Sequence, residues 1–183
     1  MDRIVIMGCS AGGKSTIARE LSQILGIEVI HLDKVIWKPG CQLSDPSEEP
    51  DMVRELLDRP QWIMDGNYTA SLDMRLARAD TVIMIDFSRF RCLVRALKRL
   101  FQFRGTTRPD MGANCPEELN FNFLSWIWNY PRKERPELLR RLREHGSHAH
   151  LVRLRTAAEA ERWLDQLRAH PVAAKEADVA RAN

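Results

Sequence analysis

The stretch Gly8-Cys9-Ser10-Ala11-Gly12-Gly13-Lys14-Ser15 limits the architecture of this chain more than any other part of it. Its pattern, G-x-x-x-x-G-K-S, lies between the apolar run Arg3-Ile4-Val5-Ile6-Met7 and the segment Thr16-Ile17-Ala18-Arg19-Glu20-Leu21, which opens an amphipathic helix. Strand, glycine-rich turn and helix in that order form a cradle for phosphate. Gly8, Gly12 and Gly13 lack a Cβ, so the backbone can turn tightly and come close to an anion. Backbone N–H groups at a helix start then point at the anion, and the helix dipole favours negative charge there. Lys14 is placed to reach the β- and γ-phosphates of a nucleotide, and the Ser15 hydroxyl to ligate Mg²⁺. Ser10 and Thr16, the polar residues within and just after the loop, are assigned to nucleotide binding with them. ATP and Mg²⁺ are therefore the expected cofactors.

A length of 183 residues suits one domain with a real core, and 44% apolar and 29% charged residues are ordinary for a globular protein. No apolar run approaches the ~20 residues that span a bilayer, and the N-terminal run is too short for a secretory signal. A cytoplasmic protein with no membrane partner is expected. Cys9, Cys41, Cys92 and Cys115 are scattered, without a C-x-x-C pair, and no histidine is spaced to complete a zinc site. Reduced thiols are the expectation, with Cys9 filling a small loop position.

The net charge of +3 hides an uneven distribution. Residues 1–86 carry 9 basic and 14 acidic side chains, whereas residues 87–155 carry 15 basic and 6 acidic ones. An electropositive block of this kind suits a polyanion: a nucleotide, a phosphorylated substrate or nucleic acid.

Apolar periodicity predicts strands over about 3–7, 27–31, 61–64, 81–85 and 148–154. Helices are predicted over about 13–25, from Asp51 to Pro60, and over 70–78, 88–103, 117–130 and 136–145. A last helix follows Thr156-Ala157-Ala158-Glu159, a capping-box sequence. Residues 37–50 and 104–116 read as loops, and the tail 171–183 as disordered. Alternating strands and helices give an α/β fold with a parallel sheet, whose ligands bind beyond the carboxyl ends of the strands. That rule gathers the phosphate loop, Asp33, Asp65 and Asp86 at one edge.

The loop Gly8–Thr16, followed by His31-Leu32-Asp33, Trp62-Ile63-Met64-Asp65-Gly66-Asn67-Tyr68, a basic helix and Trp126-Ile127-Trp128, resembles the bacterial DNA topology modulation proteins over about residues 1–168. These are small members of the adenylate-kinase-like group of P-loop kinases. The resemblance implies a three-layer αβα P-loop NTPase fold, residues 1–170 forming one domain. Its five-stranded parallel sheet has the order 2-3-1-4-5, and a helical lid spans about 100–131. It also implies that Asp33 holds the acceptor hydroxyl and that Asp65 holds Mg²⁺ through water. Arg95 and Arg99 correspond to an arginine pair at the start of the lid, and Thr107-Arg108-Pro109-Asp110 to a later lid stretch. Where adenylate kinases have Asp-Gly-Phe-Pro-Arg, this chain has Asp-Gly-Asn-Tyr-Thr. The arginine that would bind a nucleoside monophosphate is therefore missing.

Lys14, Asp33 and Arg99 are the candidate catalytic residues. Asn67, Tyr68 and Arg75 join Asp33 as candidate acceptor contacts, and Ser15 and Asp65 are the candidate metal ligands. Asp86 is expected to support the N-terminus of the basic helix. Residues 87–109 hold seven Lys or Arg and no acid, with Arg91, Arg95 and Arg99 on one helix face and Leu93, Val94, Leu97 and Leu100 expected to be buried. Trp126, Trp128 and Trp163 are expected in the core, and His145, His148 and His150 in structural or surface positions. The favoured function is phosphoryl transfer from ATP to a small acceptor. The alternative is a nucleotide-dependent DNA-binding regulator of DNA topology, although no helix-turn-helix, zinc-finger or RNP motif is present.

Overall fold

The structure, a computed structural model, describes residues 1–116, 118 and 120–170. In chain order its elements are β1 (Arg3–Gly8), α1 (Lys14–Leu25), β2 (Val29–His31), α2 (Leu32–Ile36), β3 (Trp37–Lys38), β4 (Gln42–Leu43), α3 (Glu49–Leu57), β5 (Trp62–Asp65) and α4 (Thr69–Arg78). There follow β6 (Thr81–Ile85), α5 (Arg89–Gln102), α6 (Phe121–Asn129), α7 (Glu134–His145), β7 (His150–Leu154) and α8 (Ala157–Ala169). The expected tail at 171–183 lies outside the described residues.

Five strands form one sheet in the order β2-β5-β1-β6-β7, every pair parallel. Counted within the sheet alone this is 2-3-1-4-5, the expected order. The labels shift because β3 and β4 form a separate antiparallel hairpin. The hairpin falls in the stretch expected to be loop; strands of two residues carry no detectable periodicity. Ile4, Val5, Ile6 and Met7 of β1 and Val82 to Ile85 of β6 are fully buried. A continuous apolar run is what a strand covered on both faces requires. The register sets Ile6 opposite Asp65 and Gly8 opposite Ile85, so the strands end together and their exits form one rim.

Around the sheet, α1 lies on β5 and beside α8, α4 packs between α3 and α7, and α5 packs against α6. Gly26 ends α1 in the left-handed conformation, and the Thr156–Glu159 capping box starts α8. Asp51 lies in the first turn of α3 rather than at its cap. The helix predicted at 117–130 begins at Phe121, where the Asn120 side chain accepts from the Phe123 N–H.

The basic helix α5 sits differently from expectation. Its core-facing residues are the small Cys92 and Ala96, four apart on one face. Val94 and Leu97 remain 52% and 40% exposed. Trp128 is also exposed, lying under the Arg89 guanidinium at 4.0 Å and edge-on to Phe90.

Candidate active site

β1 delivers the chain to the phosphate loop at Gly8. A Cβ there would stand 2.3 Å from the Ile85 carbonyl oxygen, and φ is +144°, so no other residue fits. The loop closes through a Gly12 N–H to Cys9 carbonyl bond of 3.1 Å. Gly13 then begins α1, whose first turn holds no acidic residue and is capped by no side chain. An uncapped helix start is a ready anion site. Lys14 folds back over the loop, its Nζ donating to the Gly8 and Cys9 carbonyls at 3.1 and 3.2 Å. Burial lowers its pKa, while Asp33 and Asp65 favour the charged form.

The Gly66-Asn67-Tyr68 turn after β5 braces this loop. Asn67 accepts from the Gly8 N–H and donates to the Gly8 carbonyl, both at 3.0 Å. Tyr68 donates to Asp33 at 2.5 Å and accepts from the Trp37 indole N–H at 2.9 Å. Burial raises the Asp33 pKa, a shift opposed by the Tyr68 hydrogen bond and by Lys14. Asp65 pairs with His31 Nδ1 at 2.7 Å across the ends of β5 and β2.

Arg75 does not reach the site. It is fully buried and donates to the Gly66, Asn67 and Tyr68 carbonyls at 2.8–2.9 Å and to Ser71 Oγ at 3.1 Å. It therefore holds the turn that holds Asn67 and Tyr68, instead of touching an acceptor. Burial brings its pKa down to about 10. Asp86 is likewise reassigned: it is clasped by Arg135 of α7 at 2.8 and 2.9 Å and by Arg153 of β7 at 2.9 Å, not placed at the start of α5. Burial alone would raise its pKa, but the two guanidiniums hold it low. His148 bonds the Ala79 carbonyl at 3.0 Å, a structural role as expected.

The phosphate loop, Asp33, Asp65, Asn67 and Tyr68 line a single cleft of about 1870 Å³, as do Arg91, Arg95, Lys98 and Arg99 of α5. Pockets for one small molecule are usually about 300–1,000 Å³, so this cleft has room for a nucleotide and a second molecule. Arg95 lies over Gly13, where a Cβ would meet its guanidinium at 3.2 Å, and Arg99 stands 5.5 Å from the Phe123 ring. Ser10 and Thr16 also line the cleft.

Three residues were not among the assigned site positions. His31 orients Asp65, Trp37 orients Tyr68, and Asp110 stands beside Ser15, whose hydroxyl helps to lower its pKa. Asp110 and Arg108 had entered only through the resemblance of the lid stretch. Arg108 lies 3.1 Å from Asp110 and 3.9 Å from Asp33. The oxygen donors of Ser15 and Asp65 fit a hard cation such as Mg²⁺. Among the described residues no group of three or more His, Cys, Asp or Glu is arranged as a metal site, so such a cation would depend on phosphate or water for its other ligands.

The cysteines depart from expectation: Cys41 and Cys115 form a disulfide, with Cα atoms 4.7 Å apart. Seventy-four residues separate them in sequence, and only the folding of residues 107–116 onto the β3–β4 hairpin brings them together. Cys9 and Cys92 are free, buried and neighbours.

No protein-family model matches the sequence, and no curated protein does. Solved structures do. Shikimate kinase from Acinetobacter baumannii in complex with shikimate matches with a TM-score of 0.61 at 18% identity, over 91% of this chain and 90% of that one. Deoxyadenosine kinase from M. mycoides with bound dATP matches with a TM-score of 0.50 at 15% identity, over 90% and 98%. The chain has the fold of these P-loop kinases. No described helix is long and apolar enough to cross a membrane.

Proposed function

We propose that this protein is an ATP- and Mg²⁺-dependent phosphotransferase that moves the γ-phosphoryl group to a hydroxyl of a small acceptor. The observation that carries the reading is the presence of two kinds of group in one cleft. An uncapped, lysine-bearing phosphate loop lies on one side, and the Asp33 carboxylate, held by Tyr68, lies beside it. The names of the two kinases of like fold support the reaction class. Kinship with the DNA topology modulation proteins rests on the motifs and is part of the same proposal.

In this reading the loop N–H groups and Lys14 bind the β- and γ-phosphates. Mg²⁺, when bound at Ser15 with Asp65 nearby, supplies neutralising charge to the triphosphate. Arg95 and Arg99 face the phosphoryl group and stabilise the charge that spreads over its oxygens during transfer. Asp33 orients the acceptor hydroxyl and takes its proton, which comes to rest on a carboxylate oxygen. A carboxylate whose pKa is raised is a better base than an ordinary one. Asn67 acts indirectly by fixing Gly8.

The DNA-binding alternative would need the cationic row of α5 on an open surface. Arg91, Arg95, Lys98 and Arg99 instead line the cleft that holds the phosphate loop, which favours a ligand the size of a nucleotide. The test is consumption of γ-labelled ATP with a panel of small hydroxyl compounds and, at matched salt, with duplex DNA. Label transferred to a small compound supports the proposal. ATP consumption stimulated by DNA alone would replace it with the alternative.

A further inference from the structure

Residues 107–116 line the cleft and are fastened to the β3–β4 hairpin. Thr107 and Pro116 bridge the two ends of the segment. The Ala113 carbonyl accepts from the Gly40 N–H at 3.1 Å. Gly112 lies so close to the β3–β4 hairpin that a Cβ would stand 2.6 Å from the Trp37 carbonyl oxygen. The Cys41–Cys115 disulfide closes the fastening covalently. The fastened segment presents Asp110 to Ser15 and Arg108 to Asp33. Both partners belong to the proposed transfer machinery, and the Asp110 carboxylate is set where an anionic nucleotide must arrive.

We propose that the Cys41–Cys115 disulfide is a redox-responsive clasp that holds the Arg108–Asp110 segment in the cleft and so weakens nucleotide binding until it is reduced. The location of the bond fits this role. Cys41 lies exposed at the tip of the hairpin while Cys115 is buried, so Cys41 is the more accessible partner for an incoming thiolate. A dithiol reductant supplies the chemistry. Its first thiolate attacks Cys41 Sγ, the S–S bond breaks, and Cys115 leaves as a thiolate that takes up a proton. The second thiol of the reductant, as its thiolate, then displaces Cys41. The products are two protein thiols and the oxidised reductant, two electrons having passed to the protein. With the bond intact, Asp110 stays near Ser15 at a high effective concentration. With the bond open, the segment keeps the Gly40–Ala113 hydrogen bond, the Arg108–Asp33 ion pair and the Asp110–Ser15 contact, none of them covalent.

The occlusion half of this inference rests on the nucleotide reading above; the clasp itself does not. Two measurements separate them. Hydrogen exchange over residues 107–116 is compared in the oxidised protein, after treatment with a dithiol, and in the double variant Cys41→Ser/Cys115→Ser. Faster exchange in the last two states, with the β1 and β6 amides unchanged, is expected. The same rate in all three refutes the clasp, and the unchanged sheet amides guard against a variant that has lost its fold. The second measurement is the affinity of Mg²⁺ with AMP-PNP by calorimetry. Reduction should tighten it about tenfold, and Asp110→Asn in the oxidised protein should tighten it in the same direction. Unchanged affinity on reduction, or weaker binding by Asp110→Asn, overturns the occlusion. Failure of AMP-PNP to bind in any state refutes the nucleotide reading and the occlusion with it, and the exchange result still decides the clasp.

Discussion

Replacing Arg75 with methionine should destabilise the protein by about 3–5 kcal/mol, although the side chain touches neither cleft nor solvent. The guanidinium makes four hydrogen bonds, three to carbonyls of the 66–68 turn and one to Ser71. Bonds from a charged donor contribute roughly 1.5–3 kcal/mol each, and acceptors stranded by its loss carry their own penalty. The gross loss is thus on the order of 6–12 kcal/mol. Against it stands the relief of burying a charge. The Arg75 pKa falls from 12.5 to about 10, which at 1.36 kcal/mol per pKa unit is about 3 kcal/mol. Methionine keeps the apolar stem, and relaxation or water entry satisfies some carbonyls. What remains is close to the usual roughly 3–5 kcal/mol for breaking a buried charged network. Urea denaturation at neutral pH measures it. Arg75→Lys should fall between, because one ammonium cannot reach three carbonyls and a hydroxyl together. Since the same turn holds Asn67 on Gly8 and Tyr68 on Asp33, the methionine variant should also bind nucleotide less well. A variant within 1 kcal/mol of wild type would refute the structural role assigned to Arg75.

Further outcomes follow from the same contacts. Lys14→Ala should lower phosphoryl transfer on the order of 10²–10³-fold with the fold intact by circular dichroism, as expected for the loss of one transition-state charge contact. Asp33→Asn should lower kcat far more than it changes ATP affinity, and a collapse of affinity with kcat preserved at saturating ATP would remove Asp33 from the acceptor side. Because the Asp33 pKa is raised, kcat/KM should fall on acidification along a limb above the ordinary carboxylate value of about 3.9, and Asp33→Asn should abolish that limb. Asp86→Asn should cost about 1–2 kcal/mol at neutral pH, discounted for its partial exposure. The Asp86 pKa is depressed, so wild type holds this stability above the unfolded carboxylate value and loses it as pH falls through the folded one. The difference in Tm between the two proteins should therefore shrink in acid.

The parts of this molecule that were legible in the sequence are those set by local pattern. The phosphate loop identifies itself because glycine, lysine and serine occur at fixed spacing between a strand and a helix. The buried strands show as unbroken apolar runs, and α8 shows its capping box. Arg75 was misread because an arginine close to a ligand motif looks like a ligand contact. A signal existed: it shares the buried face of α4 with Ser71, Leu72 and Leu76. On α5 the spacing of Leu93, Val94, Leu97 and Leu100 is as regular as that of Cys92 and Ala96. Only the tertiary packing of α5 selects the smaller pair, which is buried while Val94 and Leu97 stay exposed. The Cys41–Cys115 bond, the Asp86–Arg135–Arg153 cluster and the Asp110–Ser15 contact join residues far apart in the chain, so no local pattern announces them.

The central claim, that one cleft holds a triphosphate on the loop and an acceptor hydroxyl at Asp33, is tested most directly by a crystal structure of the reduced protein with AMP-PNP and Mg²⁺. The account predicts β- and γ-phosphates within hydrogen-bond reach of the backbone N–H groups between Gly12 and Thr16 and of Lys14 Nζ. It predicts the cation on Ser15 Oγ, and a γ-phosphate facing Asp33. A nucleotide bound elsewhere, or one whose γ-phosphate points away from Asp33 with the Asp33–Tyr68 pair outside its reach, would contradict it.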